Sequence, residues 1–280
     1  MELTRILAAL LAALAIIAVR AADQDENSRY MHNVQKAEEA IGKRKWPLAI
    51  AYLQEAMQSD PGNPQNIMLL SNMGMLHYYN GDDSLALHTL TEARAMAPAS
   101  VVILSNRAQV LTGMNRLADA LNDYSRIIAM DSTYADAWRE RGAIELQLGK
   151  LPEAESDITR YRALCPDDSQ GKLMQAVLMA ATGRPDEAIP LYSGLIEEKP
   201  ESVYYSARAT CHMQNSDLPA AAEDVARGLE LDPDDGELYY VRAWLNRMRF
   251  RDDDAQADAR RAMELGVSPM RVKTLFSMPR

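Results

Sequence analysis

Between residues 135 and 168, apolar side chains recur at helical spacing on both sides of a break at Gly149 and Pro152. The strict alternation of a half-buried strand is missing there. The same arrangement returns along the chain. Alanines stand at 49, 86, 120, 154, 188, 221 and 255, with gaps of 37, 34, 34, 34, 33 and 34. A second small column keeps that step: Ala37, Gly74, Ala108, Gly142, Ala176, Ala209 and Ala243. Self-similarity at this period predicts an array of small units stacked on their neighbours.

Within one unit the pattern predicts helix, short turn, helix, short turn. Small residues at two fixed positions let two antiparallel helices cross closely. Bulkier residues follow the alanine column by four: Leu53, Leu90, Tyr124, Ile158, Tyr192 and Val225, with only Ala259 weak. They fill the space beside the crossing. Pro47, Pro152, Pro185 and Pro219 fall in the first turn of the second helix, where a missing N–H costs little. Pro61, Pro98, Pro166, Pro200 and Pro233 lie just past that helix and end it.

These columns resemble the tetratricopeptide repeat, whose signature places small residues at its eighth and twentieth positions and proline near its thirty-second. The resemblance implies an all-α fold, an α-α superhelix or solenoid of seven helix-turn-helix units. They are placed at 30–63, 67–100, 101–134, 135–168, 169–201, 202–235 and 236–269. An aromatic at the family's first signature position remains only as Trp138, Tyr205 and Tyr239. The eleventh position is irregular, with His77, Glu145, His212 and Asn246. The first unit matches least, as suits an end cap.

One pairing emerges from the register. Arg107, Arg141, Arg208 and Arg242 hold the seventh position of units three, four, six and seven, and Asp123, Asp157, Asp224 and Asp258 the twenty-third. Units one, two and five lack both members, with Lys36 and Tyr52, Met73 and Thr89, Gln175 and Leu191 instead. Joint presence and joint absence predict contact across the two helices, since a half-buried arginine left alone is costly. Unit five also carries Pro190 inside its second helix, which predicts a kink or a late helix start. It is expected to be a softer joint.

The family resemblance implies that the first helix of each unit lines a concave groove, with its second, fifth, ninth, twelfth and thirteenth positions facing a partner. Those positions give Met68, Ser71, Met75, Tyr78 and Tyr79 in unit two, and Asp136, Arg139, Ala143, Leu146 and Gln147 in unit four. Unit seven gives Glu237, Tyr240, Trp244, Arg247 and Met248. Aromatic, methionine and arginine side chains are the types that dominate binding energy. The expected partner-binding set is Met75, Tyr78, Tyr79, Arg139, Gln147, Tyr240, Trp244 and Arg247. The Lys/Asn/Arg clamp by which some family members hold a chaperone's acidic C-terminus is not found at these positions.

Charge narrows the partners. The chain of 280 residues carries a formal net charge of −10. Such a surface repels nucleic acid and anionic lipid. Residues 1–22 differ in kind: Arg5 precedes an apolar run from Ile6 to Val19, followed by Ala21 and Ala22. This pattern predicts a bacterial-type secretory signal peptide, with 23–29 as linker. The run is short for a membrane span. An uncleaved anchor is the alternative. Cys165 and Cys211 are a whole unit apart, too far for a disulfide.

The chemistry of catalysis finds no footing. His32, His77, His88 and His212 form no ligand pair at helical spacing. No phosphate-cradling glycine loop or nucleophile elbow occurs. Asp252, Asp253 and Asp254 read as an acidic helix start, and the Asp232–Asp235 stretch fails calcium-loop spacing at Gly236. No cofactor, no metal and no enzyme activity are expected. Residues 270–280 are expected to cap the array. The sequence therefore predicts an exported scaffold, in the periplasm or cell envelope, that binds a peptide or protein segment in its groove. The alternative is a homo-oligomerising module whose groove is filled by its own kind.

Overall fold

The computed structural model describes residues 28–277, and all regular structure among them is helical. The expected signal segment 1–22, most of the linker and Met278 lie outside the described residues. Fifteen α-helices follow in order. They are α1 (Ser28–Gly42), α2 (Trp46–Ser59), α3 (Asn66–Tyr79), α4 (Asp83–Met96), α5 (Val101–Gly113), α6 (Leu117–Met130), α7 (Ala135–Gln147) and α8 (Leu151–Leu164). Then come α9 (Ser169–Ala181), α10 (Pro185–Glu198), α11 (Ser202–Gln214), α12 (Leu218–Leu231), α13 (Gly236–Met248), α14 (Asp252–Glu264) and α15 (Pro269–Ser277). The chain forms two compact units that divide inside α7, between Ile144 and Glu145.

The close crossings follow from side-chain volume. All seven alanines of the first column are fully buried. A methyl group added at Gly74 would come within 2.5 Å of Leu90 Cγ, so α3 and α4 cross at glycine contact. In the first unit, Leu53, Leu90 and Tyr124 fill the space beside those crossings. In the second, Ile158, Tyr192 and Val225 do the same.

Every turn inside a hairpin is built the same way. Its fifteenth repeat position has positive φ: Arg44, Gly81, Asn115, Gly149, Gly183, Ser216 and Phe250. The next residue's N–H reaches back to a carbonyl five residues earlier, as in Lys150 N to Glu145 O at 2.9 Å and Asp217 N to His212 O at 2.8 Å. This is the left-handed helix stop that glycine fills without cost. Only three of the seven turns use glycine. Prolines then sit in the first turn of α2, α8, α10 and α12.

Three helix starts between hairpins use side-chain caps, whereas Gln65 and Glu201 form none. Ser100 Oγ accepts from Ile103 N at 3.4 Å, and Asp168 Oδ2 accepts from Gly171 N at 3.0 Å. Asp235 Oδ1 accepts from both Glu237 N and Leu238 N. Helix α10 starts at Pro185, in register with its counterparts, and runs through Pro190. The late start does not occur. The carbonyl that Pro190 deprives of a partner belongs to Asp186 in the exposed first turn, where it is open to solvent.

At the C-terminal side, α15 buries Val272 and Leu275 against Ala243, Ala259, Ala262 and Val267. Helix α1 begins at Ser28, inside the expected linker.

Candidate functional site

The repeated arginines sit at the junction of three helices. Arg107 on α5 donates to Asp123 Oδ1 on α6 at 2.6 Å. Arg208 on α11 donates through Nε and Nη2 to both carboxylate oxygens of Asp224 on α12, at 2.9 and 2.6 Å. Arg242 on α13 does the same to Asp258 on α14, at 3.0 and 2.6 Å. Asp123, Asp224 and Asp258 are all buried. The carboxylate hydrogen bonds hold the guanidinium pKa of Arg208 and Arg242 above its usual value.

Two further contacts were not anticipated from the register. Arg208 Nη1 also donates to Ser193 Oγ on the preceding second helix, at 2.8 Å. Arg141 Nη1 donates to Ser125 Oγ at 3.0 Å from the equivalent position. The aromatics at the first signature position lie under these arginines: Trp138 under Arg141 at 5.1 Å, Tyr205 under Arg208 at 5.7 Å, Tyr239 under Arg242 at 4.8 Å. Their spacing of three residues along one helix brings ring and guanidinium together. Asp157 is buried in α8. Unit one, which lacks the ion pair, keeps the contact in another form, with Lys36 Nζ 5.4 Å from the Tyr52 ring centre.

The expected groove positions divide into open and enclosed ones. In the first compact unit, Met75 is 1% exposed, buried between Ala86 and Leu90 of α4 and Val110 of α5. Ser71 is equally enclosed and accepts from Asn106 Nδ2 at 3.1 Å. Both therefore join repeats and offer no surface to a partner. The cause is local to this repeat, where α4 and α5 close over Met75, since the same ninth position is exposed at Ala143 and Val177.

Tyr78 and Tyr79 remain half-buried, with ring centres 5.8 Å apart. Trp46, at the start of α2, stands 5.7 Å from Tyr79. The Tyr78 hydroxyl rests on Gly113, where any side chain would collide with it. Trp46 was missed as a site residue because it opens a second helix, outside the first-helix positions expected to face a partner. Its place before Pro47 at a hairpin turn was the available signal. Arg139, half-buried, spends its charge on its own helix, 2.7 Å from both Asp136 and Glu140.

In the second compact unit, Gln147 is exposed, whereas Arg247 is only 8% exposed and displays no charge to a partner. Tyr240 and Trp244 are half-buried and touch both flanking cores. The Arg271 guanidinium lies 4.6 Å from the Tyr240 ring centre and pairs with Glu237 at 2.5 and 3.0 Å. So α15 covers part of the surface expected to face a partner. Among the described residues, no cluster of acidic, histidine or cysteine side chains has metal-binding geometry. No described helix is long and apolar enough to cross a membrane.

The family model for the tetratricopeptide repeat matches residues 105–169. A solved tetratricopeptide repeat protein from Parabacteroides merdae superposes with a TM-score of 0.71 at 25% identity, over 89% of this chain and 98% of the other. Residues 105–169 thus match the tetratricopeptide repeat, and the chain shares the fold of a tetratricopeptide repeat protein.

Two curated relatives match over part of the chain. A DnaJ homolog subfamily C member 7 homolog from Dictyostelium discoideum is 23% identical over 220 residues, covering 71% of this chain and 40% of its own length. The Hsp70-Hsp90 organizing protein of Triticum aestivum is 30% identical over 100 residues, covering 36% of this chain and 17% of its own. The chain thus spans 40% or less of these curated relatives. Tetratricopeptide repeats generally mediate protein–protein interaction and are typically non-catalytic scaffolds.

Proposed function

We propose that this chain is a non-catalytic scaffold that holds a peptide or protein segment on the faces of its first helices. The observation that carries this reading is the aromatic group Trp46, Tyr78 and Tyr79. Three rings stand half-exposed on an ordered backbone, with Tyr78 seated on Gly113. Rings held in place before binding lose little entropy on contact and supply large amphipathic area. Tyr240 and Trp244 supply a second aromatic pair in the other compact unit.

The proposed setting is the cell envelope. Arg5, the apolar run Ile6–Val19 and the small residues at 21 and 22 support export, with tethering by an uncleaved segment as the variant. The acidic balance favours polypeptide partners over nucleic acid.

A photo-crosslinking residue placed at Tyr78 and, separately, at Tyr240 tests the reading in cells that express the chain. A discrete heavier adduct, lost when Tyr79→Ala accompanies the probe at 78, is the expected result. Adducts whose only partner is a second copy of the chain would favour the self-filled module instead. Cell fractionation with N-terminal sequencing tests the export proposal.

A further inference from the structure

The first turn of α13 holds a cation, and that cation comes from α15. Glu237, Tyr240 and Trp244 stand three and four residues apart, so they share one face of α13. The Arg271 guanidinium lies 4.6 Å from the Tyr240 ring centre, and its Nη1 and Nη2 donate to the two carboxylate oxygens of Glu237 at 2.5 and 3.0 Å. A planar cation set over a ring and forked onto a carboxylate is an arrangement that guanidinium fits and ammonium does not. Glu237 presents that carboxylate from a fixed helix start, because its N–H donates to Asp235 Oδ1 at 2.9 Å. Asp234, the acidic side chain before the cap, is engaged by Arg261 at 2.7 Å.

Helix α15 is held by two separable anchors. Val272 and Leu275 are buried against Ala243, Ala259, Ala262 and Val267. The Arg271 contact is wet by comparison, with the Arg271 and Glu237 side chains 51% and 48% exposed. An ion pair so open to water adds little to stability. It can break while the apolar anchors keep α15 in place. What then comes free is a carboxylate, the half-buried Tyr240 ring and, one turn on, the half-buried Trp244 indole.

We infer that this face of α13 receives an arginine-bearing polypeptide segment, and that Arg271 is its intramolecular competitor. The incoming guanidinium takes the place of Arg271 between Glu237 and Tyr240, and an apolar residue beside it rests on Trp244. The net charge of −10 speeds the approach of a basic segment. The inference rests on reading Tyr240 and Trp244 as a partner surface, and adds what that partner carries and what holds it off.

The test uses the isotope-labelled full chain and a blocked hexapeptide of one arginine, one leucine and four glycines. Counterpart peptides carry lysine or citrulline for arginine. Shifts of the Glu237 and Tyr240 backbone amides and of the Trp244 indole N–H are the readout. Arg271→Ala is expected to bind the arginine peptide roughly fivefold more tightly than the unaltered chain, because the competitor is gone. The lysine peptide should bind more weakly, and the citrulline peptide should leave the shifts unmoved. Glu237→Gln alongside Arg271→Ala should remove the preference for arginine. The Val272 and Leu275 amides should keep their positions in Arg271→Ala, since α15 stays docked. Equal affinity of the two chains, equal binding of the arginine peptide and either counterpart, or loss of the Val272 and Leu275 signals would overturn the inference. Photo-crosslinking from Met248, one turn beyond Trp244, separates it from the scaffold reading while leaving ring and carboxylate intact. An adduct that forms equally with and without Arg271→Ala sinks the competitor alone, and no adduct in either chain sinks the partner surface beneath it.

Discussion

Arg208 and Asp224 meet through two parallel hydrogen bonds, and the same pair recurs with different solvent access along the chain. The arginine side chain is 12% exposed at Arg107, 20% at Arg208 and 39% at Arg242. A partner removed from an enclosed charge costs more than one removed from a wet charge. Asp123→Ala and Asp224→Ala are therefore expected to destabilise by about 1–3 kcal/mol, and Asp258→Ala by less. Chemical denaturation of the three variants checks the order. Replacing Arg208 and Asp224 together with leucine should cost less than the two single changes added.

The shared positive φ at the hairpin turns predicts opposite outcomes for similar edits. Arg44 and Ser216 occupy a left-handed conformation at φ 53° and 62°. Arg44→Gly and Ser216→Gly are expected to stabilise by about 0.5–1 kcal/mol through relief of that strain. Gly149→Ala should destabilise by about 1–2 kcal/mol, although nothing lies within 4 Å of the added methyl. Thermal unfolding measures each one. A neutral Gly149→Ala would show that the turn relaxes freely.

His77 gives stability a pH dependence. Burial lowers its pKa from 6.5, against the weaker pull of Asp82. The unfolded chain therefore binds this proton more readily than the folded one. The stability is present above pH 6.5 and is lost as pH falls through the depressed folded value. His77→Gln should flatten that acid-side loss. Denaturant midpoints measured at pH 7 and downward for both proteins decide it, and parallel curves would remove His77 from the account.

The two thiols should differ in reactivity. Cys211 is fully buried, and desolvation pushes its pKa up to about 11. Cys165 is half-buried at the end of α8. The thiolate is the reacting form, so iodoacetamide at neutral pH should label Cys165 first and leave Cys211 untouched in the folded chain. Peptide mass spectrometry with and without denaturant checks this.

The repeat itself is legible without coordinates because its determinants are local. Helical periodicity needs only neighbours in sequence, and a close crossing needs a small residue at a fixed offset. Pro47, Pro152, Pro185 and Pro219 mark helix starts for reasons internal to one turn of chain. The Arg–Asp register is legible for a related reason: in tandem repeats a contact within one unit reappears at a constant spacing, here sixteen residues.

The binding surface is different. Met75 and Tyr78 are equally apolar in the sequence and three residues apart on α3, yet one is enclosed and the other half-open. What separates them is the volume of side chains on α4 and α5, which no local pattern contains. Trp46 reaches Tyr79 across two helices, and Arg271 reaches Tyr240 from a helix beyond the last repeat. The order of residues by itself determined the hairpins, their small crossings and their internal ion pairs. Which faces stay open was decided only when neighbouring helices closed around them, because exposure belongs to the assembled surface and not to the single helix.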